Sequence, residues 1–135
     1  MGILTDNEKS ARFFRQENIR GPIFNNYDSG GYLIFSLPGQ EKVFVDNRPE
    51  AYPDSFFSEI YKPMQEDPYI FKKIDEQYNF NTIVFSRNDI TPWGMNFLKK
   101  IKENPDWAKV FEDGFAVVYL KRNEVNNEII GKYKM

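Results

Sequence analysis

Thr82-Ile83-Val84-Phe85, then Thr91-Pro92-Trp93-Gly94-Met95-Asn96-Phe97-Leu98-Lys99-Lys100-Ile101, then Trp107 through Lys121: read in order, these stretches decide the fold. The first is a short run of β-branched and aromatic residues, the composition of a buried strand. Thr91 followed by Pro92 is a helix start, because a threonine hydroxyl can take a free amide of the first turn and proline at N1 loses no hydrogen bond. The spacing predicts Met95, Leu98 and Ile101 on the inward face and an end before Pro105. The third stretch predicts a hairpin in which Trp107–Glu112 pairs with Phe115–Lys121 around Asp113-Gly114, a strong type I′ turn signal. A strand, a helix and a hairpin in succession point to a sheet covered by helices.

The residues before Thr82 extend the pattern. Asp67-Pro68 restarts a helix with Phe71, Ile74 and Tyr78 on one face, and Pro53 opens another with Phe57, Ile60, Tyr61 and Met64 at i, i+3, i+4 and i+7. Lys42-Val43-Phe44-Val45-Asp46 reads as a strand, left by Asn47-Arg48-Pro49. Tyr32 to Leu37 is apolar nearly all round, as in a helix buried on several sides, with Asp28 or Ser29 as its cap and Pro38-Gly39 as its end. Ile23-Phe24-Asn25 is a short buried strand. Thr5 and Glu8 form a capping box for a first helix through Ala11, Phe13 and Phe14 to about Asn18, stopped by Gly21 and Pro22. The polar, lysine-bearing end from Asn126 is expected to fray. The resulting order, α-β-α-β-α-α-β-α-β-β, predicts an α/β fold. It is a small, three-layer-like single domain over residues 1–135, with a mixed sheet. Right-handed crossovers make the early strands parallel, the first two adjacent, and the C-terminal hairpin adds antiparallel strands.

Composition narrows the chemistry. In 135 residues there are 13 Phe, 8 Tyr and 2 Trp, enough to fill a core and to make disorder untenable. The formal charge is −2, from 18 basic and 20 acidic side chains, which makes no electrostatic case for nucleic acid as a partner. Without His or Cys, histidine-based triads, thiol nucleophiles, disulfides and the usual zinc sites are excluded. No apolar run is long enough to span a membrane, and Met1-Gly2-Ile3-Leu4 lacks the features of a signal peptide.

Ligands of open α/β sheets collect beyond the carboxyl ends of the parallel strands. Here those ends carry Asn25, Asn26, Tyr27 and Asp28, then Asp46, Asn47 and Arg48, then Ser86, Arg87 and Asn88. The candidate ligand-binding set is Asn25, Asn26, Tyr27, Asp46, Asn47 and Arg48. The same residue types also serve as turns and caps. Asp46 and Arg48 can bridge each other or hold a sugar hydroxyl or a carboxylate. Gly30-Gly31 sits at a helix start, but the surrounding residues form neither a dinucleotide fingerprint nor a phosphate loop, and close packing of helix on sheet accounts for the glycines. Asp28, Asp46, Asp54 and Asp113 lack the spacing of an acid/base couple. Trp93 and Trp107 can stack on sugar rings or fill the core. No catalytic residue, cofactor or metal ligand emerges from the pattern.

Three stretches taken together resemble a known family. They are Pro22 to Ile34, Lys42 to Arg48, and Asn104-Pro105-Asp106-Trp107 through Val110-Phe111-Glu112-Asp113 and Ala116-Val117-Val118-Tyr119. The ordered set is similar to the soluble C-terminal domain of polytopic bacterial membrane proteins resembling dolichyl-phosphate-mannose-type glycosyltransferases. Ser29 stands where that family often has Trp, and Asn47 where it often has Gly; Asn tolerates the left-handed conformation such a turn needs. The resemblance implies a noncatalytic domain on the periplasmic or extracellular side of the cell membrane. Its partners would be its own transmembrane portion and a glycan or lipid-linked sugar. The transfer chemistry would lie in membrane loops outside this chain. Two alternatives come from other classes: a stand-alone nucleotide- or sugar-binding protein or enzyme of the cytosol, and a structural module docking through an aromatic patch around Phe13, Phe56 or Trp93.

Overall fold

The computed structural model describes residues 12–13, 15–26, 54–87, 91–114 and 116–133. Residues 12–13 and 15–17 are helical and lead into strand β1, Ile23–Asn25. Helix α1 (Asp54–Phe56) runs through a π-helical turn, Phe57–Tyr61, into α2 (Lys62–Glu66). Next along the chain are α3 (Pro68–Tyr78), β2 (Thr82–Ser86), α4 (Pro92–Lys102), β3 (Trp107–Glu112), β4 (Ala116–Lys121) and α5 (Asn127–Tyr133). The expected strand at Lys42–Asp46, and with it the adjacency of the first two strands, lies outside the described residues.

The described strands form one sheet in the order β1-β2-β4-β3. β1 and β2 are parallel, with Phe24 opposite Ile83; β4 is antiparallel to both β2 and β3. The expected α/β domain with a mixed sheet and a C-terminal hairpin is what forms. Successive strand residues serve opposite faces. Along β2, Ile83 and Phe85 enter one core with Phe24, Met64, Phe71, Phe80, Phe97, Trp107, Val117 and Tyr119. Val84 enters the other with Ile19, Ile23, Ala108, Val110, Val118, Leu120 and Ile130. The sheet is therefore covered on both sides, which makes three layers. Phe24, fully buried, meets Phe85 and Phe97 edge to face at 5.3 and 5.1 Å between centroids.

Capping agrees closely with the sequence. The Asp67 carboxylate accepts from the Tyr69 amide at 2.9 Å, and Thr91 Oγ1 accepts from the Gly94 amide at 3.1 Å, each ahead of an N1 proline. Asn79 closes α3 with φ 53°, the left-handed cap that Asn tolerates best after Gly. The π-helical turn also has a local cause. Pro63 offers no amide and its ring presses on the preceding turn, and the backbone widens there, with Lys62 N donating to Phe57 O.

Four expectations need correction. On α4, Ile101 is inward and Leu98 packs against the core as expected, but Gly94 and Phe97 complete the inward face while Met95 is 58% exposed. Phe97 is the larger apolar side chain and takes the core position. The hairpin turn is longer than a type I′ turn at Asp113-Gly114. Glu112 pairs with Val117, Asp113 N donates to Ala116 O at 3.0 Å, and Asp113 is not left-handed. The Asp113 carboxylate closes the turn by accepting from the Ala116 amide at 2.8 Å. The end of the chain folds as α5, because Ile129, Ile130 and Tyr133 make an apolar stripe that packs on the sheet with Phe13. Phe13 is 8% exposed and belongs to the core, so it contributes nothing to an outward aromatic patch; Phe56 and Trp93 are half-buried.

Candidate functional site

The carboxyl ends of β1 and β2 carry the described part of the predicted rim. Asn25 and Asn26 are both fully buried. Asn26 Oδ1 accepts from the Ser86 amide at 3.1 Å, and its Nδ2 donates to Ser86 O at 3.2 Å. That pair reproduces a backbone-to-backbone pairing with a side chain and lengthens the β1–β2 ladder beyond Asn25. Asn25 Nδ2 donates to Asn26 O at 3.0 Å. Because β3 runs parallel to β2, its carboxyl end reaches the same rim, and there Glu112 receives Arg87 as well as Lys109 Nζ, the latter at 2.8 Å. The Lys109 hydrogen bond holds the Glu112 carboxyl below its ordinary range against the opposing effect of burial. Tyr27, Asp46, Asn47 and Arg48 lie outside the described residues. The structure thus brings Asn25 and Asn26 together at the expected place, with their amides engaged by backbone.

Two concave sites lie at the opposite end of the molecule, on either side of the turn Glu103-Asn104-Pro105 that joins α4 to β3. The first is a groove of about 440 Å³ at the base of the hairpin, lined by Trp107, Ala108, Tyr119, Lys102, Lys109 and Arg122 besides the turn itself. Trp107 and Tyr119 line it and are themselves largely buried. Burial, and secondarily Glu112, pushes the Tyr119 phenol up, so it stays a neutral donor through physiological pH. Lys121 Nζ stands 5.3 Å from the centre of the Trp107 ring while bridging to Asp75 at 2.8 Å.

The second is a cleft of about 250 Å³ between the end of α2, the start of α3 and the end of α4. Its apolar lining is Met64, Pro68, Phe71, Phe97, Ile101 and Pro105, with exposed Lys100 and Glu103 among the residues around it. Gln65 also lines it and is 2% exposed. Gln65 Nε2 donates to Tyr61 O at 2.8 Å, which fixes which end of the amide is which. Its Oε1 is buried and has no hydrogen-bond partner. Sequence reading missed this residue: it follows the apolar pattern only to Met64, although Gln65, four residues after Tyr61, continues the same stripe as its one polar member. On this stripe Tyr61, Met64 and Gln65 are buried while Phe57 and Ile60 are half-buried.

Among the described residues, no three Asp or Glu side chains gather as a metal ion would require. No described helix is long and apolar enough to cross a membrane. Comparison of the chain with protein-family models, with curated proteins and with solved structures finds no match.

Proposed function

We propose that this chain is a noncatalytic domain of a membrane protein resembling a glycosyltransferase, held on the periplasmic or extracellular side, where it assists binding of a glycan or of the acceptor. The observation that supports the reading most is the groove beside Trp107. It brings together two aromatic side chains, one of them a neutral phenol, and the exposed cations Lys102 and Arg122 in a space of about 440 Å³, within the size range of small-ligand sites. That combination suits an acidic sugar: aromatic surface for the apolar face of the sugar ring, and cations for its carboxylate. Among the described strands, the stretches that carry the family resemblance fall on either side of β2, β1 on one side and the β3–β4 hairpin on the other. We place the contact in the groove, since the Asn26 amide is occupied in joining β1 to β2 and the Asn25 amide donates to the Asn26 carbonyl.

The test is chemical-shift mapping with uronic-acid oligosaccharides and their neutral counterparts. The reading expects saturable shifts on Trp107, Tyr119 and Arg122, weakened severalfold by Arg122→Ala or by salt. Shifts confined to the rim around Asn25 would move the site, and silence throughout would remove glycan binding. Turnover of an activated sugar by the purified chain would overturn the noncatalytic assignment. A gene product without transmembrane segments would overturn the membrane one.

A further inference from the structure

We infer that the cleft between α2, α3 and α4 is a binding site for a compact, uncharged apolar ligand, about one or two rings in size, that carries a single hydrogen-bond donor. The inference is independent of the glycan reading and concerns other residues. Three observations meet here. The space is about 250 Å³, just under the usual range for small-ligand pockets and larger than an engineered cavity of about 150 Å³ known to take up benzene. Its floor is Met64, Phe71, Phe97 and Ile101, all buried, so an occupant gains contact with two aromatic rings and a thioether. Gln65 lines that space, and its Oε1 is a buried acceptor with no partner.

A buried carbonyl oxygen without a partner is uncommon in folded proteins and costly when the chain itself supplies nothing to meet it. Gln65 cannot relieve it by flipping, because Nε2 is committed to Tyr61 O at 2.8 Å. Asn104 also lines the cleft, but its Oδ1 already accepts from the Asp106 amide at 2.9 Å, so the one unmet acceptor in a mainly apolar lining is Gln65 Oε1, and it calls for one donor on an otherwise apolar ligand. Lys100 and Glu103, exposed beside the cleft, are of opposite sign and give it no net preference for a charged occupant.

Indole and 1-methylindole make the test. They have nearly the same shape, and only indole carries an N–H. Titrated into isotope-labelled protein, indole should produce saturable shifts at Gln65, Phe71, Phe97 and Ile101. 1-Methylindole should bind those residues roughly 5- to 100-fold more weakly, the range expected when a buried acceptor is left unmet. Gln65→Met keeps the volume and removes the acceptor, and it should bind the two compounds alike. Equal affinity of the native protein for both compounds would overturn the donor requirement. Absence of saturable shifts at these residues with indole at millimolar concentration would overturn the site. If Gln65→Met does not fold, the native comparison still decides. A response confined to Trp107 and Arg122 would assign the aromatic to the neighbouring groove and count against this cleft.

Discussion

Two of the buried side-chain amides lie at opposite ends of this molecule, Asn26 at 0% exposure and Gln65 at 2%, and they do opposite things. At the strand ends, both groups of the Asn26 amide are spent on the backbone of Ser86. Beneath α4, only the nitrogen of Gln65 is bonded and the oxygen is left over. The same functional group is scaffold in one place and an unmet acceptor in the other. What separates them is the neighbouring backbone. A parallel strand end presents an amide and a carbonyl at the spacing of a carboxamide. A helix interior presents only carbonyls, because its amides are already used. A buried polar residue is therefore informative about binding only after its partners have been counted.

The comparison breaks most easily at Asn26. Asn26→Leu leaves the Ser86 amide and carbonyl without those two bonds at a site 6% exposed, and is expected to cost about 2–4 kcal/mol of stability in urea unfolding. A loss below about 1 kcal/mol would mean that water replaces the clamp, and Asn26 would return as a ligand-binding candidate. A smaller effect is expected next door, at the turn that ends at the same rim. Asp113→Ala removes the acceptor of the Ala116 amide and should lower stability by about 1 kcal/mol, with faster hydrogen exchange at that amide than elsewhere in β4.

These residues also show how far the sequence carries. Elements whose signal is local and whose cap is chemically specific were legible: Asp67-Pro68 and Thr91-Pro92 start helices, and Thr82 to Phe85 is a strand with both faces buried. The hairpin was legible but its register was not. A bulge between Lys109 and Phe111 turns Val110 and Phe111 to the same core, and neither that nor the wider turn has a mark in Asp-Gly. The α4 face was misread by one position because Met95 and Phe97 both fit a helical period, and only the sheet beneath decides between them. Of the predicted rim, the position of Asn25 and Asn26 was right, but a strand-end Asn reads the same whether it binds a ligand or a neighbouring strand. Gln65 was passed over because it is polar: it continues the stripe of Phe57, Ile60, Tyr61 and Met64, but a glutamine at the end of an apolar stripe reads as its solvated edge. The amide cluster of Asn81, Asn123 and Asn126, which ties the start of α5 to the sheet, was also unforeseen. Those residues look like ordinary loop asparagines until the chain is folded.

Acid should weaken the ion-paired periphery without touching either amide. Hydrogen bonds from Lys109 and, at the other side of the molecule, from Tyr133 hold the Glu112 and Glu17 carboxyls below their ordinary value of 4.5. A carboxyl whose folded-state pKa is depressed releases its proton more readily in the native state. Its contribution is complete above 4.5 and is lost as pH falls through the depressed value. Both pairs are partly solvated, so each contribution is small and screened by salt. Thermal melts at decreasing pH should show a loss that begins only below 4.5 and shrinks in Glu112→Gln. A loss beginning near neutrality would point to other groups, because nothing about these two carboxyls titrates there.

The smallest effect belongs to the residue with the most chemistry left unused. Gln65→Met gives up the bond from Nε2 to Tyr61 O, a term of about 0.5–1.5 kcal/mol. It also removes an acceptor whose burial without a partner costs about 1–3 kcal/mol, and it keeps the volume of the side chain against Met64 and Phe97. The two changes oppose each other, so the net should fall within about 1 kcal/mol of zero and lean toward stabilisation. Asn26→Leu and Gln65→Met are thus the same kind of exchange, a buried amide for an apolar chain, with expected outcomes several-fold apart. Urea unfolding of the pair reads the difference directly. A large loss at Gln65 would show that the native protein already satisfies its oxygen, by an ordered water in the cleft, and the contrast between the two ends of the molecule would close.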